Sequence, residues 1–265
     1  MNQSNQIIQS HNIETKRTAP ANLITCAKLS RAEKMAIFEA RQHKILRFLV
    51  EEGYSSLANL AHLLTVSKQT ALRILEHLCY KGYLIQTKEY KSSSSLHPTL
   101  LFQPTPAGTL LCSNRIKTLS EPIDFNGLKC SIIVDTLKLQ EVRLKLEKQG
   151  YRNFINSNSL ASDFREYNNK GFRTPDYICI NPQNERVAIE YERTIKTTKR
   201  YGEIIGQYLE FKNTGIVKTI QFVTDMGFAD KLKMLFNNID TIYRLDKPEK
   251  LNPRDLEFFS FAEVD

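Results

Sequence analysis

Asp176, Glu190 and Glu192 stand in a stretch that otherwise reads as apolar strand. Asp176-Tyr177-Ile178-Cys179-Ile180 is a β-rich run, Asn181-Pro182-Gln183-Asn184 is a turn cluster, and Arg186 to Glu192 is the returning strand. Side chains alternate across a strand, so Val187, Ile189 and Tyr191 share one face and Glu190 and Glu192 the other. Two carboxylates on a buried face carry a prohibitive desolvation cost unless a cation lies beside them, either a metal ion or a nearby Lys or Arg. The hairpin returns Asp176 to the neighbourhood of the two glutamates. Three hard oxygen donors suit Mg2+ or Mn2+, which would polarise a phosphoryl oxygen and deprotonate an attacking water. Lys196 and Lys199 follow at the start of the next helix, so cations lie close in sequence to the acids. The same residues also admit a purely structural reading. In it Asp176 is a turn residue, and Glu190 and Glu192 pair with Arg173, Arg193 or Lys196.

The surrounding elements must hold these groups in place. Leu137, Leu139, Val142, Leu144 and Leu146 predict a helix from Val134 to Lys148 that ends at Gly150. Asn153 to Asn156 is a short strand, and the polar loop Lys170-Gly171-Phe172-Arg173-Thr174 leads to Pro175 and Asp176. From Lys196 to Lys212, Tyr201, Ile204, Ile205, Tyr208 and Phe211 form a helical stripe, which makes the two tyrosines packing residues rather than nucleophiles. Lys218 to Thr224 is a strand, Asp230 to Phe236 a helix and Ile239 to Arg244 a last strand. Alternating helices and strands over 128–245 argue for an α/β domain. Residues 246–265 form a tail with Phe258, Phe259 and Phe261 that either folds back or engages a partner.

The first half has a different pattern. Residues 1–30 are polar and aperiodic, a flexible arm. Over 31–115 the chain is helix-rich. Glu33 to Val50 carries Met35, Phe38, Ile45, Leu46 and Leu49 on one stripe, and Gly53 stops it. A short amphipathic helix from Ser56 to Leu64, a Thr65-Val66-Ser67 turn and a longer helix capped by Ser67 make a helix-turn-helix. Ala71, Ile74, Leu75 and Leu78 face inward, leaving Lys68, Gln69, Thr70 and Arg73 at the front of the second helix to meet DNA. Gly82 ends that helix. Leu84 to Lys91 and Leu100 to Gln103 form a hairpin, the wing, with Lys88 and Lys91 placed toward phosphates. A linker spans Leu119 to Gly127.

Composition suits a nucleic acid or an anionic membrane surface as partner. The 265 residues carry 37 Lys+Arg against 29 Asp+Glu, a net charge of +8 and a pI near 9.1. Five scattered cysteines with no CxxC argue against zinc sites and a disulfide framework, and fit a reducing cytoplasm. No signal peptide and no long apolar run are read, so no membrane insertion is expected.

Pro175-Asp176 followed fourteen residues on by Glu190-Tyr191-Glu192 resembles the PD-(D/E)xK motif of restriction-endonuclease-like nucleases. The order helix, strand, hairpin, helix, strand from Leu137 to Val223 resembles the core of that fold. The chain departs from the motif at Glu192, where a Lys is expected; the resemblance implies that Lys196 or Lys199 supplies that cation, orienting the water or stabilising phosphorane charge. The longer stretch Glu190 to Tyr201, preceded by a winged helix, is similar to the MobC-type plasmid relaxases of the replication-relaxation family. That resemblance covers about residues 35–225. It implies an α+β chain: an N-terminal winged helix-turn-helix, then a restriction-endonuclease-like mixed sheet flanked by helices. It implies metal-dependent nicking of double-stranded DNA at a plasmid origin of transfer, with Asp176, Glu190 and Glu192 holding Mg2+ or Mn2+. An accessory mobilisation or coupling protein and a homodimer are further expected partners. Two rival readings stand beside it: a non-catalytic DNA-binding regulator of plasmid replication or transcription, and a dimeric restriction-type enzyme cutting both strands.

Overall fold

The computed structural model describes residues 29–89, 99–112, 123–163, 173–244 and 247–264. The chain divides into two compact units, 1–40 and 41–265. Residues 1–28 of the predicted arm, Lys91 and residues 119–122 of the predicted linker lie outside the described residues.

Helix α1 (Arg31–Glu52) crosses the division. Its buried positions, Ile45, Leu46, Phe48 and Leu49, fall in its second half, while Met35 is exposed. Gly53 ends it at φ +83, a conformation that only glycine takes without strain. A two-residue strand β1 (Ser55–Ser56) leads into α2 (Leu57–Leu64), capped by the Ser56 hydroxyl on Asn59 N–H. Thr65 turns at φ 53, and α3 (Lys68–Tyr80) starts on the Ser67 cap. Ala71, Ile74, Leu75 and Leu78 are its buried stripe, as the spacing predicts.

Strands β2 (Leu84–Glu89) and β3 (Thr99–Pro104) pair antiparallel, and β1 adds to β3. Helix α4 (Pro106–Cys112) closes this lobe. The Thr-Pro-x-Gly before it has a physical basis. Thr105 Oγ1 donates to Gly82 O at 2.7 Å and accepts from Gly108 N–H at 3.1 Å. A Cβ on Gly108 would stand 2.2 Å from Tyr83 O, so only glycine fits there.

The second lobe is a five-stranded mixed sheet in the order β10-β7-β6-β5-β4. Helix α5 (Cys130–Lys148) precedes β4 (Arg152–Asn156), which is bulged between Arg152 and Ile155. Helix α6 (Ser157–Asp163) follows, then the hairpin β5 (Tyr177–Ile180) and β6 (Arg186–Glu192). Helix α7 (Thr198–Lys212) crosses over to β7 (Thr219–Asp225), which lies parallel to β6. Helix α8 (Ala229–Asn237) and the small hairpin β8 (Thr241–Arg244) and β9 (Lys247–Lys250) come next. Thus β8, expected as the last strand, stands outside the main sheet.

The last twenty residues, read from sequence as a tail, belong largely to the lobe. A 3-10 turn (Pro253–Phe258) leads into β10 (Phe259–Val264), which pairs in parallel with β7 along its whole length. Phe258, Phe259 and Phe261 pack in the core with Phe222 and Phe236.

Each face of the sheet is covered. Val142 and Leu146 of α5 meet Tyr177, Cys179, Val187, Ile189 and Val223 on one face. On the other, α7 and α8 meet Ile178, Ala188, Ile220 and Phe222. Strands β8 and α7 touch closely. A Cβ on Gly206 would stand 2.2 Å from Tyr243 O and one on Gly202 2.7 Å from Thr241 O.

Helix α5 also binds the first lobe. Ser55 Oγ donates to Gln140 Oε1 at 2.7 Å, Gln140 Nε2 to Tyr54 O at 2.7 Å, and Asn59 Nδ2 to Leu137 O at 2.9 Å. The buried Arg143 guanidinium pairs with Glu51, Glu52 and Glu147, and the Tyr177 hydroxyl donates to Glu52. Burial pushes the Glu52 carboxyl above its ordinary range despite the arginine.

Candidate functional sites

The acid cluster sits on the sheet face beneath α7. Glu190 and Glu192 alternate with Tyr191 on β6, and Asp176 immediately precedes β5, whose Tyr177 pairs with Ile189. Glu190 and Glu192 are 3% and 5% exposed, so their charges need partners. Both have them. Arg173 Nε donates to Glu190 Oε1 at 2.9 Å, and the arginine's Nη2 contacts the same oxygen. Tyr208 donates its hydroxyl to Glu190 Oε2 at 2.5 Å. Lys196 Nζ pairs with Glu192 Oε1.

Asp176 is served differently. Its Oδ2 accepts the Tyr191 N–H at 2.8 Å. Burial and then the neighbouring Glu190 carboxylate push its pKa up to about 7, against the pull of that N–H and of Arg173. Burial opposes the charge on Arg173, but the Glu190 carboxylate outweighs it and the guanidinium is held more firmly protonated than usual. Burial, followed by Glu190, drives the Tyr208 phenol well above its ordinary range. On β7, Thr224 pairs in register with Glu192, and its buried hydroxyl has no hydrogen-bond partner among the described residues.

Of the side-chain cations expected beside the glutamates, Arg173 and Lys196 are the ones the structure places there. Lys196 lies ahead of α7, which Thr197 caps, and not inside the helix. Lys199 is directed elsewhere, with Nζ 5.7 Å from the centre of the Tyr243 ring. Arg193 pairs with Asp135. Among the described residues, no three His, Cys, Asp or Glu side chains are arranged to hold a metal ion. Both oxygens of Glu190 are already engaged, so this donor set, as arranged, does not fit Mg2+ or Mn2+. Tyr201 and Tyr208 are fully buried on the predicted stripe. Sequence reasoning missed the Tyr208 hydroxyl as a Glu190 partner. Its signal was a tyrosine, with a polar tip, on a stripe that must face the glutamates.

The second candidate surface is the front of α3. Lys68, Gln69 and Arg73 are exposed there, as is Lys88 on β2. Thr70 is partly buried. Its N–H and hydroxyl lie 3.2 and 3.0 Å from Ser67 Oγ, so it serves the cap rather than a free reading face. Tyr80, at the far end of α3, is 86% exposed.

No family model matches this chain and no curated protein matches it. Among solved structures it is similar to NadR in complex with 4-hydroxyphenylacetate, with 17% identity over 53% of this chain and 99% of that one, at a TM-score of 0.26. ZitR of Lactococcus lactis gives 15% identity, 58% and 98% coverage and a TM-score of 0.26. A MarR family transcriptional regulator from Silicibacter pomeroyi gives 13%, 56%, 90% and 0.23. Scores of this size fall short of a shared overall fold. Among the described residues, no helix is long and apolar enough to cross a membrane.

Proposed function

We propose that this chain is a sequence-specific duplex-DNA-binding protein that docks through α3 and the β2–β3 hairpin and does not itself cut the DNA. One observation carries this reading: the front of α3 exposes Lys68, Gln69 and Arg73 while its opposite stripe is fully packed. A helix presented in this way fits a major groove, where Arg and Gln form paired hydrogen bonds to guanine and adenine edges. Lys88 on the hairpin would meet the adjacent backbone, and the +8 net charge supports phosphate contact. Regulation of plasmid replication or transcription is the role that suits such a protein. Binding-site selection from a randomised duplex pool tests it. A common sequence should be enriched by the full chain and lost when Lys68 and Arg73 are both replaced by Ala. Equal enrichment by that variant would refute the assignment.

A second reading is favoured by one feature. Among the described residues, three carboxylates share a sheet face with two cations, Arg173 and Lys196, paired to them. Metal-dependent nicking of double-stranded DNA at a plasmid origin of transfer would require both pairs to open first, since the acids as arranged do not fit Mg2+ or Mn2+. Supercoiled plasmid incubated with the protein and Mn2+ separates the two readings. Open circles that disappear in Glu190→Gln would establish the nickase. Linear product would point to a double-strand cutter, and intact supercoils support the binding protein.

A further inference from the structure

We infer that Arg173 and Lys196 are this chain's own replacement for a divalent cation, so that the Asp176–Glu190–Glu192 cluster is a metal-independent clamp. The two cations reach the acids from the segments that flank the hairpin. Arg173 lies just ahead of β5, and Lys196 lies in the turn between β6 and α7. Each is fixed to a carboxylate that is almost wholly buried. An inner-sphere ion needs carboxylate oxygens with open lone pairs and no competing positive charge. Glu190 is poorly placed on both counts: two guanidinium nitrogens occupy Oε1, and Oε2, which accepts the Tyr208 hydroxyl, keeps one lone pair beside that positive charge. A guanidinium and a divalent ion are therefore mutually exclusive occupants of one electrostatic position. The clamp has a mechanical consequence. It pins the start of β5 and the approach to α7 onto the same sheet face, the task that a structural ion performs elsewhere.

The exclusivity predicts an exchange. With Arg173 and Lys196 neutralised, the three carboxylates keep uncompensated charge on one sheet face, and the Thr224 hydroxyl lies in register with Glu192. Released from their pairs, these hard oxygen donors are free to re-orient around Mn2+. This inference deepens the metal-free side of the reading above and rests on it only there. It is independent of whether α3 binds DNA, so a failed site selection and a metal-binding result are read separately.

The test uses the full chain without DNA, titrated with Mn2+ alone, followed by electron paramagnetic resonance and by thermal unfolding. The unaltered protein should show no saturable binding and no change of Tm. The R173Q/K196Q protein should melt lower in buffer, bind Mn2+ at least about tenfold more tightly, and recover Tm as the ion is added. Adding Glu190→Gln to that pair should abolish the gain. Arg173→Gln alone serves if the pair does not fold. Saturable Mn2+ binding by the unaltered chain that Glu190→Gln removes would overturn the inference. So would a folded variant that gains no affinity for the ion.

Discussion

At the scale of single residues, the acids illustrate how burial turns spacing into a charge-balance problem. Strand alternation made it legible in the sequence that Glu190 and Glu192 share a face and need a cation. It did not make legible which cation, because Arg173 arrives from an irregular segment with no periodicity to place it. Breaking the Glu190 pair by Glu190→Ala leaves a buried guanidinium and a buried phenol without their partner. The expected cost is about 3–5 kcal/mol of stability by denaturant unfolding. Asp176 gives a pH signature. Its folded pKa of about 7 lies above its ordinary 3.8, so the neutral form is the one folding favours. The associated stability is fully present below pH 4 and is lost as pH rises through 7, by at most about 4 kcal/mol. Asp176→Asn keeps an acceptor for the Tyr191 N–H and removes that slope. The variant should therefore be the more stable protein at pH 8, with the advantage gone by pH 4. Equal pH profiles for the two would contradict the crowding of the three carboxylates.

At the scale of elements, the caps and breaks were the most legible features. Ser67 caps α3 and Gly82 follows it in the left-handed conformation, both as the residue types demand. Ser67→Ala should cost about 1 kcal/mol and weaken DNA binding by fraying the helix that reads it. On α3 itself, Arg73→Ala should cost about 1–3 kcal/mol of specific affinity, and Lys68→Ala should lower the salt dependence by about one ion. What remained hidden at this scale was pairing between distant segments. The aromatic triplet near the C-terminus looked like a tail because a strand added in parallel has no local turn to announce it. Its partner is β7, some forty residues earlier in the chain. The close approach of β8 to Gly202 and Gly206 was equally silent, since two glycines in a helix read only as weak helix formers.

At the scale of the whole molecule, residues 41–265 form one compact unit, although the sequence divides there by composition and by period. The reason is α5, which packs one face on the sheet and binds β1 and α2 with the other. Arg143, with its carboxylates Glu51, Glu52 and Glu147, is the centre of that junction. Sequence showed an arginine inside an apolar stripe but could not name a partner ninety residues earlier. The two lobes should consequently unfold in one calorimetric transition, and Arg143→Ala should lower Tm or split that transition in two. On the proposed reading, the helix-turn-helix would meet DNA with the sheet lobe packed against it through α5. Binding by α3 is the claim on which the functional account depends. Fluorescence anisotropy of the selected duplex, titrated with the full chain and with Arg73→Ala, measures it most directly. The account predicts specific binding that weakens steeply with salt, together with a loss of about tenfold or more in the variant. Indistinguishable curves for the two proteins, or binding blind to the duplex sequence, would contradict it.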